Sequence, residues 1–90
     1  MTPVDAALLS RWLEQKDAEA FHQLAKRYAA MVYATCRRIA GNQTVAEDIT
    51  QDCFARLATV RPAPKGHLGA WLHKVATNRA FQDLSTMSLS

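Results

Sequence analysis

Ninety residues make one domain, and a chain this short buries only about 60% of the surface its unfolded form exposes, so its core is adequate and not generous. Hydrophobic residues are 49% of the chain and charged residues 21%, with three Gly and three Pro, which excludes a disordered or low-complexity chain. The formal net charge of +3 leans weakly towards an anionic partner. No apolar run approaches the ~20 residues of a membrane span. Met1-Thr2-Pro3-Val4-Asp5 lacks the basic then apolar pattern of a secretion signal. The expected compartment is therefore the cytoplasm, with no membrane partner.

The first predicted helix runs from Asp5, as N-cap, to Gln15. Ala6, Leu8, Leu9, Trp12 and Leu13 supply its amphipathic stripe. Lys16-Asp17 breaks it, and Asp17 can cap the second helix, Ala18 to Ala40. That helix is the longest, with Phe21, Leu24, Ala25, Tyr28, Met31, Val32, Thr35, Cys36 and Ile39 repeating at the helical period. Arg37 and Arg38 sit where cations favour a helix C-terminus, and Gly41-Asn42 reads as a stop. The third helix opens on Thr44-Val45-Ala46-Glu47, which fits a capping box with Thr44 as N-cap and Glu47 at N3. Val45, Ile49, Cys53, Phe54, Leu57 and Val60 form its apolar stripe, with Glu47, Asp48, Gln51 and Asp52 opposite.

Arg61-Pro62-Ala63-Pro64-Lys65-Gly66 cannot be helix, because each proline pushes the residue before it to an extended conformation. The fourth helix is predicted from His67 or Leu68 to Leu84, with Leu68, Trp71, Leu72, Val75, Ala76 and Leu84 inward and Lys74, Asn78 and Arg79 on an outer strip. Trp71 could stack on a base, but its spacing favours the core. Residues 85–90 read as a frayed tail beyond a single domain of residues 1–84. The fold class is all-α, a compact bundle of four helices.

Cys36 and Cys53 lack a CxxC or zinc spacing, and His22, His67 and His73 do not complete a site, so both thiols read as buried and free. No nucleophile motif, HExxH or Gly-rich phosphate loop is present, so the reading is a non-enzyme with no cofactor. Charge is distributed unevenly. Glu47, Asp48 and Asp52 form an acidic knot, while Arg56, Arg61, Lys65, Lys74 and Arg79 follow Cys53, opposed only by Asp83. Such asymmetry suits two partners of opposite charge.

Three segments carry a more specific signal. Ala46-Glu47-Asp48-Ile49-Thr50-Gln51-Asp52-Cys53-Phe54 resembles the AEDxxQExF signature of sigma-factor region 2.2. Residues 68–80, with Trp71-Leu72, Val75-Ala76, Asn78 and Ala80, are similar to the WLxxIAxNxA segment of regions 2.3 and 2.4. Phe21, Leu24, Tyr28, Val32 and Arg38 are similar to the family's opening. In register over residues 5–84, they resemble region 2 of the extracytoplasmic-function (ECF) sigma factors of the sigma-70 family.

The resemblance implies that Asp48, Gln51, Asp52 and Arg56 face the β′ clamp helices of core RNA polymerase. It also implies that Arg61, Lys65, His67, Lys74, Asn78 and Arg79 face the non-template single strand of the promoter −10 element. An anti-sigma factor is a further implied partner. A second reading is a pure interaction domain that docks on polymerase or an anti-sigma factor and reads no DNA; the two differ over the basic strip. The family's second domain, which reads the −35 element, has no counterpart after Leu84, so initiation by this stretch alone is not expected.

Overall fold

A computed structural model describes residues 3–61 and 63–89, with side chains through Leu84. Four helices account for them: α1 Pro3–Gln15, α2 Ala18–Ala40, α3 Gln43–Thr59 and α4 Leu68–Leu89. No strand occurs among the described residues, so the all-α expectation holds. Helix α2 is the axis of the bundle. It packs along α3 and α4 and takes α1 against it, while α1 also touches α3.

The core follows from residue spacing. Ala20, Leu24, Val32 and Cys36 on α2 are fully buried, as are Leu68, Leu72, Ala76 and Ala80 on α4. Neighbours four apart form a ridge along one helix face, the geometry that lets ridges of one helix seat in grooves of another. Ala46, Ile49, Cys53 and Leu57 complete the core from α3, and Leu8 and Leu9 from α1. Both cysteines are buried and free.

Three helix ends differ from expectation in instructive ways. Asp5 does not cap α1, which begins at Pro3. Proline suits a first turn, since the N–H it lacks would have no partner there. Asp5 instead points inward, 1% exposed, accepting a hydrogen bond from the Tyr28 hydroxyl and lying 3.1 Å from Arg27 Nε. The N-cap of α3 is Asn42, whose side chain accepts from the Val45 N–H at 3.0 Å. Thr44 lies inside the helix and exposed, and Glu47 accepts from Gln43 Nε2 at 3.1 Å instead of closing a capping box. Helix α4 continues to Leu89, past the expected end at Leu84.

The remaining junctions agree with the sequence reading. Asp17 caps α2 by accepting from the Glu19 and Ala20 N–H groups, and Gly41 ends it at φ 70°, a left-handed conformation natural to glycine. Trp12 ties α1 to the end of α3 through Nε1 to the Ala58 carbonyl at 3.0 Å. Pro62, read as one of two residues shaping the loop, lies outside the described residues, as do the side chains of the tail.

Candidate functional site

Two grooves meet along the exposed side of the α3–α4 pair. The first, of about 230 Å³, is lined by Arg56 of α3 with Trp71, Lys74, Asn78, Arg79 and Gln82 of α4. The second, of about 370 Å³, is lined by Asp48, Gln51 and Asp52 of α3, with Arg79 reaching over from α4. A short loop makes α3 and α4 antiparallel neighbours. Asp52, Arg56, Val75 and Arg79 therefore line one crevice between the two helices, with Asp52 beside Arg79.

Arg79 belongs to both grooves. Its Nε lies 3.3 Å from Asp52 Oδ2 and 4.0 Å from Asp83 Oδ1. Both pairs are about half exposed, so screening keeps each interaction small. Their effect is positional: a guanidinium held by two carboxylates forms the wall between an acidic groove and a basic one.

The helix period explains which residues converge. Asp48, Gln51 and Asp52 sit at i, i+3, i+4 and share one exposed face of α3. Arg56 is eight residues beyond Asp48; at 100° per residue that is two turns and about 80° more. The extra rotation carries it off the acidic face and into the basic groove. The family resemblance groups Arg56 with Asp48, Gln51 and Asp52, whereas here it lines the other groove. Gln82 was also missed, although it continues the Lys74–Asn78 row by one further turn.

The loop cations do not join that groove. Arg61, Lys65 and His67 are exposed, and none of them lines it. Pro64 turns the loop towards α1, where it shares an apolar groove with Leu9 and Leu13. His67 acts as a cap for α4: its Nδ1 accepts from the Ala70 N–H at 3.3 Å, and its carbonyl accepts from the Trp71 N–H. Gly69 follows in that first turn because a Cβ there would meet the His67 ring at 2.9 Å and Tyr28 at 3.2 Å. Trp71, expected in the core, is half-buried, with part of the ring packed on the core and part facing the groove.

Burial pushes the Cys36 thiol above its ordinary range. It also raises Cys53, aided by Cys36 and Asp52, to about 11. Both therefore stay protonated at neutral pH and are poor nucleophiles. Among the described residues no cluster of His, Cys, Asp or Glu could hold a metal, and no helix is long and apolar enough to cross a membrane.

The described residues thus form a four-helix module with an acidic groove and a basic groove side by side. The family model for sigma-70 region 2 matches residues 24–86, and the chain belongs to that family. It is also 32% identical over 77 residues to the ECF RNA polymerase sigma factor SigE of Mycolicibacterium smegmatis, an alignment covering 84% of this chain. The chain spans 30% of that relative's length. No solved structure matches it. The match supports the reading of a sigma-factor region 2 module of the ECF type.

Proposed function

We propose that this module binds core RNA polymerase through the acidic groove and the single-stranded, non-template −10 element through the basic one, helping to hold the promoter open. The observation that carries the DNA half is the convergence of Lys74, Asn78 and half-buried Trp71 on one groove. A cation attracts the phosphodiester backbone, an amide can read a base edge, and an indole offers a stacking surface. Arg61, Lys65 and His67 lie exposed on the loop outside that groove, where a longer strand reaches them through its backbone. On the other side, Asp48, Gln51 and Asp52 present acceptors to the basic residues of the β′ clamp helices, where charge complementarity favours fast and selective encounter.

The test is fluorescence anisotropy with a labelled single-stranded −10 oligonucleotide. Lys74→Ala with Asn78→Ala should weaken binding while leaving the helical circular dichroism intact. Equal affinity for wild type and variant would remove the DNA assignment. In parallel, Asp48→Arg with Gln51→Ala should abolish capture of a β′ clamp fragment.

A second reading is favoured by one observation, the engagement of Arg79 by Asp52 and Asp83. With that cation held, the module would dock on polymerase or an anti-sigma factor and read no DNA. It predicts full clamp capture and no oligonucleotide binding by the wild-type chain.

A further inference from the structure

The three cations of the basic groove are not equivalent. Arg79 is shared with Asp52 and Asp83. Among the described residues, the side chain of neither Arg56 nor Lys74 takes part in an ion pair or a hydrogen bond. Both are exposed. They come from different helices, Arg56 from α3 and Lys74 from α4, and line the same groove of about 230 Å³. Lys74 shares its helix with the half-buried Trp71 and the amide of Asn78.

We propose that Arg56 is a phosphate-binding residue for single-stranded DNA and forms with Lys74 a two-cation clamp across the groove. The inference rests on the DNA reading above and deepens it, moving Arg56 from the polymerase-facing set to the DNA-facing one. The chemistry suits the position. A guanidinium presents a planar fork that binds a phosphate through two parallel N–H donors, and an ammonium opposite supplies a point charge. Arg79 is a weaker phosphate ligand, because a phosphate must compete there with two carboxylates already in place. Asp52 and Asp83 also carry negative charge that repels a strand approaching that end of the groove.

Phosphate contacts fix a strand's position and carry no sequence information. Arg56 therefore strengthens binding to every single strand equally, whereas Asn78 acts on base preference.

The experiment uses the full chain and a fluorescein-labelled single-stranded oligodeoxynucleotide of mixed sequence, titrated at several salt concentrations. Arg56→Gln should weaken binding about fivefold at low salt, the scale of one exposed ion pair. It should also reduce the steepness of the log affinity against log salt plot by about 0.7, the value for one phosphate contact on a single strand. Arg79→Gln should cost less than Arg56→Gln, and Arg56→Lys should restore most of the salt dependence. Capture of a β′ clamp fragment by Arg56→Gln should equal that of wild type.

Three results overturn the proposal. One is an unchanged salt slope in Arg56→Gln while Lys74→Ala lowers it, which leaves the wider DNA reading standing. Another is loss of clamp capture in Arg56→Gln with DNA binding intact, which returns Arg56 to the polymerase surface. The last is failure of the wild-type chain to bind the oligonucleotide even at low salt, which removes the DNA reading itself.

Discussion

The Tyr28 hydroxyl of α2 donates a hydrogen bond to the carboxylate of Asp5, a side chain of α1 that is 1% exposed. A buried carboxylate is tolerated only when its oxygens are engaged, and Arg27 provides the other contact at 3.1 Å. Tyr28→Phe deletes one donor and leaves the acceptor buried, so it should destabilise the fold by about 1–3 kcal/mol. Chemical denaturation followed by circular dichroism measures this. Asp5→Asn, which keeps the shape and discards the charge, should cost less than Asp5→Ala.

The cap of α3 is a second case where two substitutions have opposite expectations. Asn42→Ala removes the side chain that accepts from the Val45 N–H and should cost about 1 kcal/mol. Thr44→Ala, exposed within the helix, should be neutral or slightly stabilising, since alanine is the better helix former. Urea midpoints for the pair decide between Asn42 and Thr44 as the cap; a larger loss at Thr44 would restore the capping box.

The buried thiols give a pH dependence with a definite sign. In the unfolded chain Cys53 ionises near its ordinary value of 9, whereas in the folded chain it is held up to about 11. Between those values the folded state binds the proton that the unfolded state has lost, so stability falls as pH rises. The contribution is fully present below pH 9 and is lost as pH climbs towards 11. Thermal melts across this range should show the decline, and Cys53→Ala should flatten it. At neutral pH both thiols should react with a thiol reagent only as fast as the chain opens.

The Asp52–Arg79 pair is suited to a double-mutant cycle. With its two side chains 54% and 46% exposed, its coupling should be no more than about 1 kcal/mol and should shrink with added salt. The swapped variant Asp52→Arg with Arg79→Asp should retain the fold. It should lose β′ clamp capture, because the acidic groove would then carry a cation at its centre.

The bundle was largely readable from hydrophobic spacing, since apolar residues every three or four positions admit little except helices. Asp17 and Gly41 announced their caps because each has one strong local use. Asp5 did not: an acid before an apolar run looks like an N-cap, and only the folded arrangement brings Tyr28 and Arg27, more than twenty residues away, to its carboxylate. Asn42 and Thr44 compete for one cap two residues apart, and their order of preference is too close for spacing to decide. The acidic face of Asp48, Gln51 and Asp52 was legible because it is local to one helix. The groove of Arg56, Lys74, Asn78 and Arg79 was only half legible, because it depends on how α3 and α4 align across a loop. No pattern within either helix reports the contact between Asp52 and Arg79.

The alanines of the core carry a consequence for those grooves. Ala46 on α3 and Ala76 and Ala80 on α4 are wholly buried, and their small size sets how closely the helices approach one another. The width of the grooves is thus adjusted from inside the protein, by residues wholly shielded from solvent. Replacing wholly buried Ala80, the neighbour of Arg79, with leucine should overpack the core and shift α4, disturbing the Asp52–Arg79 contact. Every residue on the outer face would remain chemically the same, yet the two surfaces would lose their common wall.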